Sequence, residues 1–204
     1  RISIPGYHND RKCRTFDSME LSGYLKDNGK YSDSFKGELE NLFTLREYSK
    51  GDHLFRQGDV CRYLFYIKKG LVRVYYNSIK GKEITLWFAS EDTIVTAIDS
   101  YYLHQPTRDC CEALEDLVVY TITPSQLETL LNNEKGAHIV FHIMFEVTRK
   151  MADLNESIRF RSAEERYLSL MNNYPAMLQR VSLGQIASYL GITQETLSRI
   201  RGKI

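Results

Sequence analysis

The sequence predicts an α+β chain in three consecutive parts: an N-terminal β jelly roll, a long helix and a C-terminal helix-turn-helix. Three observations carry this. Between residues 46 and 123, short apolar or alternating runs are separated at even spacing by Gly-Asp and Lys-Gly turns, with no helical period between them. Short strands punctuated in this way make antiparallel sandwiches and jelly rolls. From Val140 to Ile158, apolar residues recur at alternating four- and three-residue steps, a helical seam. Residues 181–201 join a capped apolar helix, a glycine turn and a cationic second helix.

The elements follow in order. Residues 1–19 read as a lead-in segment. Arg1 rather than Met opens the chain, and Met19 is a candidate internal start. Residues 20–134 form the predicted jelly-roll domain. Its first part, residues 20–45, reads as helical, with Leu21, Tyr24, Leu25, Phe35, Leu39, Leu42 and Phe43 at three- and four-residue steps. Strands are expected over residues 53–55, 63–67, 71–76, 83–88, 112–114 and 117–123. The polar stretch 89–111 breaks the pattern and reads as a short helix plus loop. Pro124 to Leu131 starts a helix capped by Thr123, which Lys135-Gly136 interrupts.

Residues 135–158 form the predicted dimerisation helix. Its seam consists of Val140, Met144, Val147, Met151, Leu154 and Ile158, flanked by Arg149, Lys150, Asp153, Asn155 and Glu156. A narrow apolar stripe between charged flanks fits a coiled-coil homodimer, and the alternative is a helix packed on its own barrel.

Residues 159–204 form the predicted DNA-binding domain. Ser162 and Glu165 make a capping box, and Pro175 ends the helix they open. Ser182 caps a second helix whose Leu183, Ile186 and Leu190 share a face. Ala187 is small where a second helix would cross, and Gly191 suits a left-handed turn. Ile192 plugs the angle, Thr193 caps the last helix, and Leu197 and Ile200 face back to the core. That leaves Gln194, Glu195, Ser198, Arg199 and Arg201 outward, where amides, a carboxylate and guanidiniums can meet base edges and phosphates. Thr196 and Lys203 complete the candidate set with Ser182 and Thr193. The alternative is a plain helical hairpin with a solvated face.

Charge supports the reading. The chain has 27 Lys+Arg against 26 Asp+Glu. Residues 159–204 hold seven basic residues (Arg159, Arg161, Arg166, Arg180, Arg199, Arg201, Lys203) and three acidic ones (Glu164, Glu165, Glu195). The other 158 residues carry 20 basic and 23 acidic groups, so the positive charge is gathered at the C-terminal end. Hydrophobic residues at 43% and charged residues at 26% fit a globular chain. No apolar run approaches a membrane span and the first residues lack a leader's apolar block, which points to a cytoplasmic protein without a membrane partner. Cys13, Cys61, Cys110 and Cys111 form no CxxC spacing, so neither a zinc site nor a disulfide framework is indicated. His138 and His142 have metal-capable spacing on one helix but no visible third ligand, and no metal or cofactor is expected.

Together, the Gly58-Asp59 and Gly70 turns, the seam helix and the run Ile-Thr-Gln-Glu-Thr-Leu-Ser-Arg-Ile at residues 192–200 resemble the cyclic-AMP receptor protein/FNR-type (Crp/Fnr) transcription regulators. Residues 181–201 are similar to Bacteroidetes-type members in particular. The resemblance spans roughly residues 20–204. It implies a cyclic-nucleotide-binding-like effector domain, a winged-helix-type helix-turn-helix and a homodimer on a palindromic double-stranded operator, with RNA polymerase as a further partner. It also implies that Gln194, Glu195 and Arg199 read bases. The family usually continues with a wing or short helix after the recognition helix, and this sequence stops at Ile204.

By the same resemblance, the effector pocket falls on Glu91, Thr107, Arg108 and Cys110. Nucleotide-binding members have a phosphate cassette opening Gly-Glu and ending in Arg before small residues. Here Ser90 precedes Glu91, Thr107 takes the usual Arg position, and Asp109 brings a carboxylate to the phosphate. The effector is therefore open, and cyclic AMP is not expected. Iron–sulfur sensing needs clustered N-terminal cysteines, and Cys13 stands alone. The rival readings are a cupin-like metal enzyme and a ligand-binding protein using its helix-turn-helix for protein contacts. A cupin needs His-x-His, which is absent, and no phosphate loop, Gly-x-Ser-x-Gly or His-Glu-x-x-His is present, so no enzyme is expected.

Overall fold

The computed structural model describes residues 41–203. The helical reading of residues 20–40 lies outside them. Asn41 and Leu42 are helical, but the chain is extended from Thr44.

Strands β1 (Thr44–Tyr48), β2 (His53–Phe55), β3 (Leu64–Lys69), β4 (Val72–Asn77), β5 (Glu83–Ala89), β6 (Ile94–Val95), β7 (Asp109–Ala113) and β8 (Leu117–Ile122) make two antiparallel sheets. Their orders are β1-β8-β3-β6 and β2-β7-β4-β5. The inner faces close on Phe55, Phe65, Ile67, Val72, Val74, Cys111, Leu117 and Val119, alternate residues that strand geometry turns to one side. The sandwich forms where the turns and alternation placed it. Gly70 shows why a turn residue is fixed: at φ +110 a Cβ would stand 2.9 Å from both the Asp116 carbonyl and Leu117 Cδ1.

Two strands were not expected. In β1 the inward positions are Arg46 and Tyr48, so it has no apolar alternation to read. Arg46 Nη2 donates to the Tyr63 hydroxyl at 3.0 Å and Nε to Thr121 Oγ1 at 3.3 Å, with the guanidinium over the Tyr63 ring. An inward charge on an edge strand discourages pairing with a further strand. β6 is two residues long, below what periodicity resolves. Helix α1 (Ile98–Leu103) is the short helix expected between 89 and 111.

Helix α2 (Pro124–Leu131) starts on a Thr123–Gln126 capping box. Helix α3 (Glu134–Phe160) starts at Asn133, whose carboxamide accepts from the Lys135 and Gly136 N–H groups. Lys135-Gly136 therefore lies in the first turn of α3, and the break falls before it. Across 27 residues α3 is about 40 Å long. Its buried Ile139 packs with Leu130, Leu42, Val140 and Ile143.

Helix α4 (Ala163–Asn173) opens on the reciprocal Ser162–Glu165 box. Pro175 does follow its end, but then starts another helix, α5 (Pro175–Arg180), where proline's fixed φ suits the first turn. Helices α6 (Leu183–Leu190) and α7 (Gln194–Arg201) follow. Their core of Ile186, Ala187, Leu190, Leu197 and Ile200 is continuous with Leu71 and Phe88 of the sandwich, so one apolar cluster spans both units.

Candidate nucleic-acid interface and effector pocket

The α6–turn–α7 unit is built from local chemistry. Ser182 Oγ accepts from the Gln185 N–H, and Gln185 Oε1 accepts from the Ser182 N–H. Gly191 stands at φ +69, and a Cβ there would meet nothing within 4 Å. The demand on residue 191 is therefore conformational, not steric. The Gly191 N–H donates to the Ser188 carbonyl and the Ile192 N–H to the Ala187 carbonyl, which closes the end of α6. Thr193 Oγ1 then accepts from the Thr196 N–H and caps α7.

Burying Leu197 and Ile200 turns Gln194, Glu195, Ser198, Arg199, Arg201 and Lys203 into solvent. Thr196 is half-buried beside Thr193. Ser182 and Thr193 are exposed, yet their hydroxyls are engaged in caps. The Glu195 carboxylate lies below its ordinary range, held by its own N–H and the Thr193 side chain at the helix start, with the Arg199 charge a lesser cause. Arg199 Nη2 donates to Thr196 Oγ1 at 3.2 Å. Among the described residues no Arg199–Glu195 ion pair forms, so Thr196 and not Glu195 orients the guanidinium.

The predicted effector residues are only partly brought together. Thr107 is buried in a backbone ladder, its N–H donating to the Asp59 carbonyl at 2.8 Å and its carbonyl accepting from the Gly58 N–H at 2.9 Å. Arg108 is exposed. Buried Cys110 accepts from the Gln57 N–H at 3.3 Å. Glu91 is elsewhere, its Oε1 accepting from the Gly70 N–H at 2.8 Å. The β4–β7 register runs from Val72↔Ala113 to Tyr76↔Asp109, which puts Gly70 and Thr107 beyond opposite ends of the ladder. At about 3.3 Å per residue, they stand on the order of 20 Å apart. The segment leading into Thr107 passes through α1, which opens after Ala97 with Asp99 as the acid of its first turn. Burial raises the Asp109 carboxyl, Arg108 works against that, and Asp99 adds to it. An anion at Thr107 would therefore meet two carboxylates.

Contacts that the sequence did not reveal join the two units, and one of them takes Glu91, which was expected in the effector pocket. Arg180, the last residue of α5, binds Glu91 through Nη1 at 3.0 Å and Nη2 at 2.9 Å, and binds Glu115 through Nε at 3.1 Å and Nη2. The Thr85 N–H donates to Ser188 Oγ at 2.9 Å, and Ser188 Oγ donates to the Glu83 carbonyl at 3.2 Å. The Phe88 and Tyr189 rings lie 5.7 Å apart. Within the DNA-binding unit, Arg166 of α4 donates from Nη2 to the Leu190 carbonyl at the end of α6 at 2.7 Å.

On α3, the seam residues Met144, Met151 and Ile158 are exposed, whereas Val140, Val147 and Leu154 are half-buried. Val140 packs against the Leu130–Ile139 cluster. The exposed stripe also includes Phe141 (68% exposed) and Phe145 (55%), which were not in the predicted seam. At 100° per residue Met144, Met151 and Ile158 lie within about 40° of one another, and Phe141 and Phe145 widen this to a band of about 140°. His138 and His142 have rings 5.7 Å apart. Among the described residues no group of three or more His, Cys, Asp or Glu is placed to hold a metal ion. No described helix is long and apolar enough to cross a membrane.

The chain thus combines an antiparallel sandwich, a long helix and a helix-turn-helix, the architecture of a DNA-binding regulator. Residues 45–134 match the cyclic nucleotide-binding domain family. The chain is 27% identical over 183 residues to electron transport regulator A of Shewanella oneidensis, covering 81% of this chain and 72% of that protein. It is 26% identical over 181 residues to the fumarate and nitrate reduction regulatory protein of Escherichia coli K12, covering 81% and 71%. FixK2 from Bradyrhizobium japonicum has the same fold, with a TM-score of 0.67, 20% identity and coverage of 79% and 83%. These relatives make the chain a DNA-binding transcription regulator, similar to those of the Crp/Fnr type.

Proposed function

We propose that the protein acts as a homodimer on a palindromic operator in the cytoplasm, regulating through binding and not catalysis. In this reading residues 20–134 sense an effector, residues 135–158 dimerise, and residues 159–204 enter the major groove. One observation carries it: α7 buries Leu197 and Ile200 while presenting Gln194, Glu195, Ser198 and Arg199 along one free face. Two such helices on a two-fold axis suit half-sites about 10 base pairs apart. Arg201 and Lys203, at the helix end, suit phosphates. The α3 stripe centred on Phe141, Met144, Phe145 and Met151 supplies the dimer contact. The effector is left open, and cyclic AMP fits the pocket poorly, because Thr107 offers no charge and Asp99 and Asp109 oppose a phosphate.

A gel-shift titration over a range of salt, with a randomised duplex pool, tests the reading. The expected result is enrichment of a two-fold symmetric sequence, with affinity falling as salt rises. No enrichment, or binding insensitive to salt, overturns it.

A further inference from the structure

The start of α6 carries a glycine where nothing in the turn calls for one. Gly184 is the second residue of the helix and has no left-handed φ. Glycine in a helix weakens it relative to alanine, so its presence needs a local reason. A Cβ built on Gly184 gives that reason. It would fall on the Gln194 side-chain nitrogen Nε2, closer than unbonded atoms approach, with Gln194 Cδ at 3.6 Å and Ser182 Oγ at 3.9 Å. These three nearest atoms all belong to the side chains of Gln194 and Ser182. The carboxamide of Gln194, the first residue of α7, therefore lies in the space that any other side chain at 184 would occupy.

We infer that Gly184 is a specificity-determining position: its bare backbone seats the Gln194 carboxamide across the start of α6 and fixes the direction in which that amide meets a base edge. A glutamine amide reads adenine by pairing its oxygen and nitrogen with N6 and N7, a contact that tolerates little rotation. The amide sits at the far end of a flexible side chain. A methyl group at 184 thus displaces the amide and leaves the α6–α7 crossing, set by Ile186, Ala187, Leu190 and Leu197, in place. Gly184 touches no base itself; it is a positioning residue acting through Gln194.

The inference rests on α7 being the base-reading helix, and the experiment separates the two. Base preference is measured for the full chain by selection from a randomised duplex pool, for the parent, Gly184→Ala, Gln194→Ala and the double variant. Thermal unfolding confirms that each folds. The expected result is that Gln194→Ala reduces discrimination at one base pair per half-site by about 5- to 150-fold, the span of one bidentate contact. Gly184→Ala should change preference at that same base pair and at no other. In the Gln194→Ala background, Gly184→Ala should have no further effect. If Gln194→Ala changes that preference and Gly184→Ala does not, the positioning role is overturned while the reading of α7 stands. If Gly184→Ala still shifts preference when Gln194 is alanine, its action does not pass through Gln194 and the inference fails. If Gln194→Ala changes nothing, the base-reading role of Gln194 falls, and the inference with it.

Discussion

Arg180 grips Glu91 end-on, with two N–H donors of one guanidinium meeting both oxygens of one carboxylate at 3.0 and 2.9 Å. Glu91 lies in the turn before β6, and Arg180 stands two residues ahead of the helix-turn-helix cap at Ser182. Glu115, in the turn before β8, takes the remaining donors. The pair is thus a polar joint between sandwich and DNA-binding unit, beside the apolar joint of Leu71 and Phe88. Planar two-point pairing of this kind fixes orientation as well as distance.

Arg180→Ala should loosen that joint. Amide exchange in α5 and at the start of α6 should quicken by no more than about tenfold, since solvent screens a pair this accessible. Burial would raise the Glu91 carboxyl, but the Arg180 and Gly70 donors outweigh it and hold the group below its ordinary value. A carboxyl lowered on folding stabilises fully above its unfolded pKa and loses that contribution as pH falls through the folded one. The joint should therefore hold at neutral pH and open in acid below the usual carboxylate range. Glu91→Gln should abolish this acid step. Exchange that is unchanged in Arg180→Ala, or an identical acid step in Glu91→Gln, counts against the joint.

Phe145→Glu combined with Met151→Glu should yield monomers with weak DNA affinity, because both side chains stand exposed in the apolar band of α3. Val147→Ala and Leu154→Ala, which are half-buried and truncate less, should leave the dimer largely intact. Sedimentation velocity distinguishes these outcomes, and a dimer persisting in the charged double variant refutes the face.

Arg199→Ala should flatten preference at one base pair in each half-site, by about 1–3 kcal/mol, as loss of a two-point guanine contact does. Thr196→Val, which removes the hydroxyl that Arg199 donates to, should weaken the same preference partway. Lys203→Ala should weaken all sequences alike and lower the salt slope by about one unit. Binding selection on the variants checks this. A uniform loss in Arg199→Ala removes it as a base reader.

Titration calorimetry with cyclic AMP should give no dissociation constant better than high micromolar. The usual cassette arginine is Thr107, buried in the Gly58–Asp59 ladder. The neighbouring carboxylates Asp99 and Asp109 would add negative charge near the phosphate. Saturation at low-micromolar ligand would require Arg108 to turn inward, and this account of the pocket would be wrong.

What the residues determine alone is what neighbours along the chain decide. The Ser182–Gln185 and Ser162–Glu165 boxes, the Thr193 cap, the Gly191 turn and the alternation of β3, β4, β5 and β8 are interactions over two to four residues. Their physics is complete in a short window, and so the helix-turn-helix and most of the sandwich were legible. The tertiary structure decided what joins distant segments. Arg180 meets Glu91 across 89 positions and Glu115 across 65, and the Thr85 N–H meets Ser188 across 103. No period encodes such a pairing, which exists only once chain folding has paid the entropy of bringing its ends together. The same holds for β1, whose inward Arg46 and Tyr48 are explained by Tyr63 and Thr121 and by nothing beside them in sequence. It holds too for α3, where a heptad pattern marks an apolar face but only packing on Leu130 and Ile139 shows that Val140 turns toward its own chain while Phe141 and Phe145 turn away.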